Sequence, residues 1–328
     1  MSRMGTPEPT SSAAPHGGAR APDWAASGER SNMLALRLMG WIAVTLGRPV
    51  ARLVLHPIAL YFLCFAPTSR RHSARYLARA LGRAATWRDQ YRHFHAFASI
   101  VLDRVYFVRG HMSAFDISVR GGEWVDERVA EGKGVILLGA HLGSFEALHA
   151  IRDTRPGLRV AMVMYPDNAR MIHSVLRAIA PEFKLSVIAI GRSGSTLQIR
   201  DTLASGCFVG LLGDRFLGPA GGTGSARTGS VELPFLGTPA RFTEGPLRLA
   251  MLLKRPVYFM VGLYRGGRRY ELIFEPLADF SLPMAAGERE ARIRAALVAY
   301  VARLEALCRE APYNWFNFFD YWTEDGTA

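Results

Sequence analysis

From residue 134 onwards, short apolar runs alternate with segments of helical periodicity, and few architectures accommodate this alternation. Strands are predicted at 134–139, 159–164, 185–190, 207–212, 256–263 and 270–275. Helices are predicted at 143–152, 168–180, 194–205, 242–254 and 287–309. The pattern favours an α/β fold with a central, largely parallel or mixed sheet flanked by helices. In such sheets the ligand crevice lies beyond the carboxyl ends of the strands.

The chain before this domain divides by composition. Residues 1–32 are rich in Ser, Ala, Gly and Pro, which predicts a disordered tail. Residues 33–110 form an apolar and basic region that we expect to be helical and membrane-associated, and residues 111–328 form the α/β domain.

Within that region, the stretch 32–67 is strongly apolar but contains Arg37, Arg48 and Arg52. Its run 53–66 is too short to cross a bilayer. We therefore expect a pair of N-terminal helices that dip into the membrane. The alternative is a buried helical hairpin.

A basic segment follows at residues 70–92. Four arginines recur there every fourth residue and share one drifting helical face: Arg71, Arg75, Arg79 and Arg83. Asp89 is the only acidic residue in the segment. Such runs are usually solvated faces, but one beside an apolar anchor is typical of a helix that lies on anionic lipid. The segment 90–109 continues as an apolar, aromatic helix.

The composition of the chain indicates which class of molecule it binds. The formal net charge of the 328 residues is +12, 49% of them are hydrophobic, and the mean hydropathy is +0.08. These values indicate an anionic partner, either a membrane surface or an acidic protein, and RNA-binding motifs that would favour nucleic acid are not visible. The three cysteines lie far apart without a CxxC pair, which argues against a disulfide framework and a zinc site.

The sequence "GVILLGAHLGSFEALHAI" (134–151) places a histidine at the end of a buried strand. His141 follows the strand, Gly143 and Ser144 form the predicted turn, and Glu146 lies in the first turn of the next predicted helix. Across such a junction the chain doubles back, so Glu146 can bind one ring nitrogen of His141 and raise the basicity of the other. His141 is then a candidate general base. Alone, a histidine and a glutamate at this spacing are more often structural.

The sequence gives little support for a catalytic serine nucleophile. The stretch "GRSGS" (191–195) lacks the final glycine of a hydrolase elbow, and no strained elbow surrounds Ser144. We therefore expect the acceptor itself to be the nucleophile.

A second predicted strand ends in Gly213, Asp214 and Arg215, which places Asp214 and Arg215 in the same crevice as His141. The alternative is a surface ion pair. The Gly-rich loop that follows lacks a P-loop pattern, so a lid is favoured over a nucleotide site. Pro239 is interpreted as a rigid turn.

Together these motifs resemble the bacterial lipid A biosynthesis acyltransferases, within the lysophospholipid acyltransferase superfamily, over residues 33–322. "AHLGSFEAL" resembles the family's H-x4-[DE] block, with His141 and Glu146 as its dyad. "GLLGDRF" resembles a block that usually ends in Asp-Gln, and Arg215 replaces the Gln. "LPFLGTPARF" and "KRPVYFMV" resemble two later segments. The family's arginine between these blocks corresponds to Arg170 or Arg177.

The resemblance implies a glycerolipid acyltransferase-like fold and transfer of a fatty acyl group from acyl-acyl carrier protein, or acyl-CoA, to a hydroxyl or amine of a lipid or glycolipid. His141 would deprotonate the acceptor, while Asp214, Arg215 and the arginine at 170 or 177 would bind substrate. No metal or cofactor is required. The enzyme would lie on the cytoplasmic face of the bacterial inner membrane.

Some residues depart from the family's pattern. "HLGSFE" replaces the usual HxGNWE, and the ending "YNWFNFFDYW" (313–322) also differs, which indicates a divergent branch with an acceptor other than lipid A. We interpret this ending as core packing. Two other functions remain open: a lipid hydrolase or thioesterase that uses His141, and a non-catalytic lipid-binding membrane protein.

Overall fold

The structure is a computed structural model and describes residues 45–151, 155, 157–164, 186–191, 194–215, 229–283 and 285–322. The predicted tail 1–32, the predicted helix 168–180 with Arg170 and Arg177, and the predicted lid after Arg215 lie outside these residues.

The described helices are α1 (Gly47–Phe65), α2 (Pro67–Leu81), α3 (Trp87–Val108), α4 (Gly122–Ala130), α5 (Ser195–Ala204), α6 (Gly245–Leu253) and α7 (Arg289–Glu310). The strands are β1 (Asp116–Arg120), β2 (Ile136–Gly139), β3 (Val160–Met164), β4 (Val187–Ala189), β5 (Phe208–Leu212), β6 (Ser230–Phe235), β7 (Thr238–Thr243), β8 (Pro256–Tyr264) and β9 (Arg269–Asp279). Short 3-10 helices span Met112–Ala114, Glu146–Ile151 and Ala286–Glu288.

Seven strands form one sheet in the order β1-β9-β8-β2-β5-β3-β4. β8, β2, β5, β3 and β4 run parallel to one another, whereas β9 is antiparallel to β8 and parallel to β1. The largely parallel sheet flanked by helices confirms the predicted fold class, and all six predicted strands are present. The carboxyl ends of β2 and β5 are neighbours, and this adjacency positions the site.

The sheet is buried on both faces, which explains the unbroken apolar runs in its strands. Ile136 and Leu138 of β2 pack into one core with α7, whereas Leu137 packs into the other with α3. Because alternate residues of a strand point to opposite faces, β2 lies at the centre of both cores.

Three strands were not predicted from the sequence. β1 is an edge strand with an alternating exposed pattern, and β6 and β7 form a separate antiparallel hairpin. Pro239 was interpreted as a turn, but it lies within β7 opposite Pro234. Prolines are tolerated there because each strand has only one neighbour in this two-stranded sheet.

The predicted helix 143–152 is shorter and tighter than expected, because only Glu146–Ile151 is helical and it is a 3-10 helix. The basic segment 70–92 is likewise not one helix. Gly82, at φ 65°, ends α2, and Thr86 begins α3 with a reciprocal capping box to Asp89.

Helix α1 has two apolar faces with different surroundings. Ala51, Leu55, Ala59 and Leu63 are buried, and the helix packs against α3. The Arg48 guanidinium stabilises this contact through a bidentate ion pair with the buried Asp103, and both of its hydrogen bonds are 2.8 Å long.

The other face of α1 exposes apolar side chains: Leu46, Val50, Leu53, Leu60, Tyr61, Phe62 and Phe65. By length and composition, α1 is the one described helix that is apolar enough to cross a membrane. This exposure does not fit a fully buried α1. The first helix of the predicted pair lies largely outside the described residues.

A buried histidine links α2 and α3 to the C-terminal segment. His93 Nε2 donates to the Trp315 carbonyl at 2.9 Å, so Nδ1 accepts the Ser73 hydroxyl at 2.8 Å. Burial lowers the pKa of His93 to about 4, despite the carbonyl that favours its charged form. The imidazole is therefore held neutral in a fixed tautomer.

We expect protonation of His93 to oppose folding. Because the folded-state pKa lies below the unfolded value of about 6.5, its contribution is complete above a pH of about 6.5 and is lost as the pH falls toward about 4. The slope of the unfolding free energy in this window should approach about 1.4 kcal/mol per pH unit for this one proton. Urea unfolding in detergent at several pH values, with wild type and His93→Gln, measures it. Equal slopes in the two proteins would contradict the assignment.

Candidate active site

The histidine loop follows β2 at the carboxyl end of the sheet. Gly143 has φ 73°, and its backbone lies so close to β8 that a side chain has no room: an added methyl would sit 2.0 Å from the Gly262 carbonyl oxygen. Ser144 N donates to the same carbonyl at 2.7 Å. Phe145 then covers β5 at Gly210, where an added Cβ would meet its ring at 2.5 Å. Because Gly143, Gly262 and Gly210 have no side chains, the loop packs directly against the sheet. This packing fixes the backbone of His141.

His141 is bound to Asp214, which follows β5. His141 Nδ1 lies 2.9 Å from Asp214 Oδ1, and the His141 backbone N donates to Oδ2 at 3.0 Å. The His141 side chain is 32% exposed, whereas that of Asp214 is 1% exposed. The carboxylate is thus enclosed, while part of the imidazole is open to solvent.

The ionisation of Asp214 follows from its neighbours. Burial alone would raise its pKa, but His141, the Arg215 charge and the donated hydrogen bonds hold the pKa at about 2. An ionised carboxylate only accepts hydrogen bonds, so Nδ1 of His141 is the protonated nitrogen. Nε2 therefore carries the lone pair that a general base needs.

The C-terminal segment completes the enclosure of Asp214. Trp315 Nε1 donates to Asp214 Oδ2 at 3.0 Å, and the Tyr321 hydroxyl donates to the Asp214 carbonyl at 2.7 Å. Phe316 N donates to the His141 carbonyl at 3.0 Å. Trp315 is 1% exposed, so the aromatic ending packs as predicted, but it packs directly on the site.

Glu146 makes contacts other than the expected one with the His141 ring. Its Oε2 accepts the buried Ser144 hydroxyl at 3.1 Å, and its Oε1 lies 2.8 Å from Arg104 Nε on α3. The carboxylate on the His141 ring is that of Asp214, whereas the oxygens of Glu146 face Ser144 and Arg104. A role for Glu146 in the reaction stays a prediction.

Arg215 lies beside the pair with an aromatic contact of its own. Its guanidinium carbon is 4.8 Å from the centre of the Phe319 ring, and Nη2 donates to the Phe316 carbonyl at 3.3 Å. Burial lowers the pKa of Arg215, and the charge of Asp214 opposes that effect. The side chain therefore places a cation beside the buried Asp214 carboxylate.

Backbone donors near His141 are largely engaged within the protein. Gly143 N donates to the Asn314 carbonyl at 2.8 Å, and Ser144 N donates to β8. These two backbone N–H groups are therefore not available to a ligand, whereas the Arg215 side chain is the nearby cation.

The structure brings together His141, Asp214 and Arg215, as expected from the ends of two buried strands. Arg170 and Arg177 lie outside the described residues. Sequence reasoning missed Arg104 and Trp315, whose contacts with the site bridge long separations in the chain. Arg104 is one of three arginines in α3, and nothing in the sequence near it indicates its contact with Glu146.

Comparison with known proteins identifies one family that this sequence matches. The sequence matches the family described as bacterial lipid A biosynthesis acyltransferase over residues 31–323. No curated protein matches significantly. Among solved structures, the chain is similar to the 1-acyl-sn-glycerophosphate (LPA) acyltransferase, PlsC, from Thermotoga maritima, with 13% identity and a TM-score of 0.36 over 84% of this chain and 98% of that one. The family match includes both the His141 and the Asp214 loops.

Replacing Gly143 by Ala should destabilise the protein by about 3 kcal/mol or more, because the methyl group meets the backbone of β8 in addition to straining the positive φ. Gly132→Ala is the matched control, since Gly132 has φ 64° and nothing within 4 Å of an added Cβ. It should cost only about 1–2 kcal/mol. Thermal unfolding of both variants measures the difference, and equal losses would show that the contact with β8 is unimportant.

Proposed function

Because the chain belongs to the bacterial lipid A biosynthesis acyltransferase family, and is therefore an acyltransferase that acts on a lipid, we propose that it moves a fatty acyl group from acyl-acyl carrier protein to a hydroxyl or amine of a lipid or glycolipid. The observation that carries the mechanism is the His141–Asp214 pair at the carboxyl ends of β2 and β5.

In this mechanism, His141 Nε2 takes the proton of the acceptor hydroxyl or amine as that atom attacks the thioester carbonyl. A carbon–oxygen or carbon–nitrogen bond forms, the carbon–sulfur bond breaks, and the imidazolium returns its proton to the departing thiolate. Asp214 keeps His141 in the correct tautomer and stabilises the imidazolium, so it acts as a positioning residue. This role replaces the substrate contact expected from the sequence, since Asp214 is buried under protein donors.

The oxyanion of the tetrahedral intermediate needs a donor in the crevice, and Arg215 supplies it in this proposal. Glu146 would act through Arg104, whose Nε lies 2.8 Å from Glu146 Oε1. The dyad implied by the family resemblance, in which Glu146 itself binds His141, is the competing arrangement.

The acyl donor is proposed from charge. Acyl carrier protein is acidic, and the chain carries a net charge of +12. Arg71, Arg75, Arg83 and Arg88 are exposed on or beside α2 and the start of α3. An arginine-rich surface would accelerate the encounter with an acidic donor and would make it sensitive to salt.

Membrane association is proposed from α1. Its exposed face places apolar and aromatic side chains in one stripe, and Trp87 is exposed at the start of α3. We propose that this face lies in the bilayer interface and presents the crevice to lipid. Since acyl carrier protein is cytoplasmic, the membrane would be the inner membrane, seen from its cytoplasmic face.

Kinetics of carboxylate variants should separate the two arrangements. Asp214→Asn should lower kcat about 10²–10⁴-fold, because the amide disturbs the tautomer and removes the charge that stabilises the imidazolium. Glu146→Gln should lower kcat less. The measurement is transfer from labelled acyl-acyl carrier protein to a total lipid extract in detergent.

His141→Ala is the reference variant for this assay and should abolish formation of the labelled lipid. Free fatty acid produced by wild type instead of a labelled lipid would indicate a hydrolase. A larger loss in Glu146→Gln than in Asp214→Asn would favour the family's dyad over the pair seen here.

Removing apolar side chains from the outer face of α1 should weaken vesicle binding. Leu53 and Phe65 are 70% and 72% exposed, and the double change Leu53→Ser with Phe65→Ser should reduce co-flotation with anionic vesicles roughly 10-fold or more. Leu252→Ser is the matched control, since Leu252 is 69% exposed on α6. Equal binding by the double variant and wild type would remove α1 from the interface.

A further inference from the structure

The buried indole of Trp315 lies beside the loop that carries the proposed base. Trp315 is 1% exposed and forms an antiparallel bridge with Leu142, the residue after His141. The next residue, Phe316, donates its backbone N–H to the His141 carbonyl at 3.0 Å. The C-terminal segment is therefore paired with the histidine loop in the manner of two short strands, and this pairing sets where the indole lies.

The Trp315 side chain and the histidine loop share the two oxygens of the Asp214 carboxylate. Trp315 Nε1 donates to Oδ2 at 3.0 Å, and the His141 backbone N donates to the same oxygen at 3.0 Å. Oδ1 lies 2.9 Å from His141 Nδ1. Because the two donors on Oδ2 limit rotation of the carboxylate, Oδ1 stays directed at the imidazole ring.

The orientation of the indole is itself fixed on several sides. His93 Nε2 donates to the Trp315 carbonyl at 2.9 Å and so holds its backbone. Four aromatic rings meet the indole edge to face, with ring centres 4.9–6.0 Å away: Tyr76, Phe235, Tyr321 and Trp322. A buried indole N–H needs an acceptor, and in the described part of the chain Asp214 Oδ2 fills that role.

We propose that Trp315 is a positioning residue for acyl transfer, whose indole N–H orients the Asp214 carboxylate toward His141 and limits how strongly that carboxylate stabilises the imidazolium. The inference rests on the proposed function, since it takes His141 as the base. A carboxylate that loses a donor keeps more of its negative charge for the remaining partner, so the protonated ring would persist to higher pH. Trp315 thus favours the neutral, reactive form of His141.

The other titratable groups that act on Asp214, within the described part of the chain, keep one state near neutral pH. They are Arg215, Tyr300, Cys308 and Tyr321. Burial raises the pKa of both tyrosines and of the thiol well above their ordinary values, and a guanidinium keeps its charge. His93, which holds the Trp315 backbone, has a pKa of about 4. A change in pH dependence near neutral pH therefore reports on the imidazole of His141.

The test compares Trp315→Phe with Trp322→Phe in the full-length protein in detergent. The first change removes the donor to Asp214 and keeps an aromatic ring among the same neighbours. Trp322→Phe is the matched control, since Trp322 is also buried and its Nε1 donates to the Phe235 carbonyl at 3.3 Å. The readout is the pH dependence of kcat/KM for transfer from labelled acyl-acyl carrier protein to a total lipid extract.

Trp315→Phe should move the acid limb of this profile to higher pH by about half a unit or more and lower kcat about 10-fold, the scale of one charged hydrogen bond. Trp322→Phe should leave the midpoint of the limb in place. Trp315→benzothienylalanine, which replaces the N–H by sulfur in a ring of the same shape, should shift the limb as Trp315→Phe does. Thermal unfolding of each variant separates this shift from a loss of stability.

A second measurement does not depend on acyl transfer. Diethyl pyrocarbonate modifies the neutral imidazole, and the His141 side chain is 32% exposed, so the rate of its modification against pH follows the same proton. Peptide mass spectrometry identifies the modified histidine. If wild type transferred no acyl group, the proposed function would fail, and this titration would still decide whether Trp315 sets the protonation of His141. Unmoved midpoints in both Trp315 variants, or an equal shift in Trp322→Phe, would overturn the proposal.

Discussion

The site depends on the hydrogen bonds that the buried Asp214 carboxylate accepts. This carboxylate joins three parts of the chain that no local interaction brings together: the loop after β2, the loop after β5 and the C-terminal segment. A charge in this position is tolerated only because its oxygens accept hydrogen bonds from His141 and Trp315. The same bonds that stabilise the charge also orient the His141 ring, the proposed general base, so one set of contacts serves both stability and the proposed chemistry.

Much of the fold follows from patterns that are local in the sequence. The apolar runs that end at His141 and Asp214 identify two buried strands, and the rule that ligands bind beyond the carboxyl ends of parallel strands brings these residues together. β1, β6 and β7 were missed because an edge strand and a small hairpin lack the long apolar run that marks the central strands.

The partner of His141 could not be predicted in the same way. Glu146 is near His141 in the sequence, and Asp214 is 73 residues away, so local spacing favoured the glutamate. Asp214 meets His141 because β2 and β5 are neighbours in the sheet, and local spacing carries no information about that adjacency. The contribution of Trp315 depends on a still longer separation, and its signal in the sequence is only a cluster of aromatic residues.

The position of these aromatic residues in the chain has a consequence for biosynthesis. Translation produces α1 well before residues 313–322, yet Trp315, Phe316 and Tyr321 provide bonds that enclose Asp214 and support the His141 loop. During synthesis, α1 is therefore complete before the His141–Asp214 pair can be enclosed. A polypeptide that ended before residue 313 would lack these bonds, so assembly of the pair depends on completion of the segment 313–322.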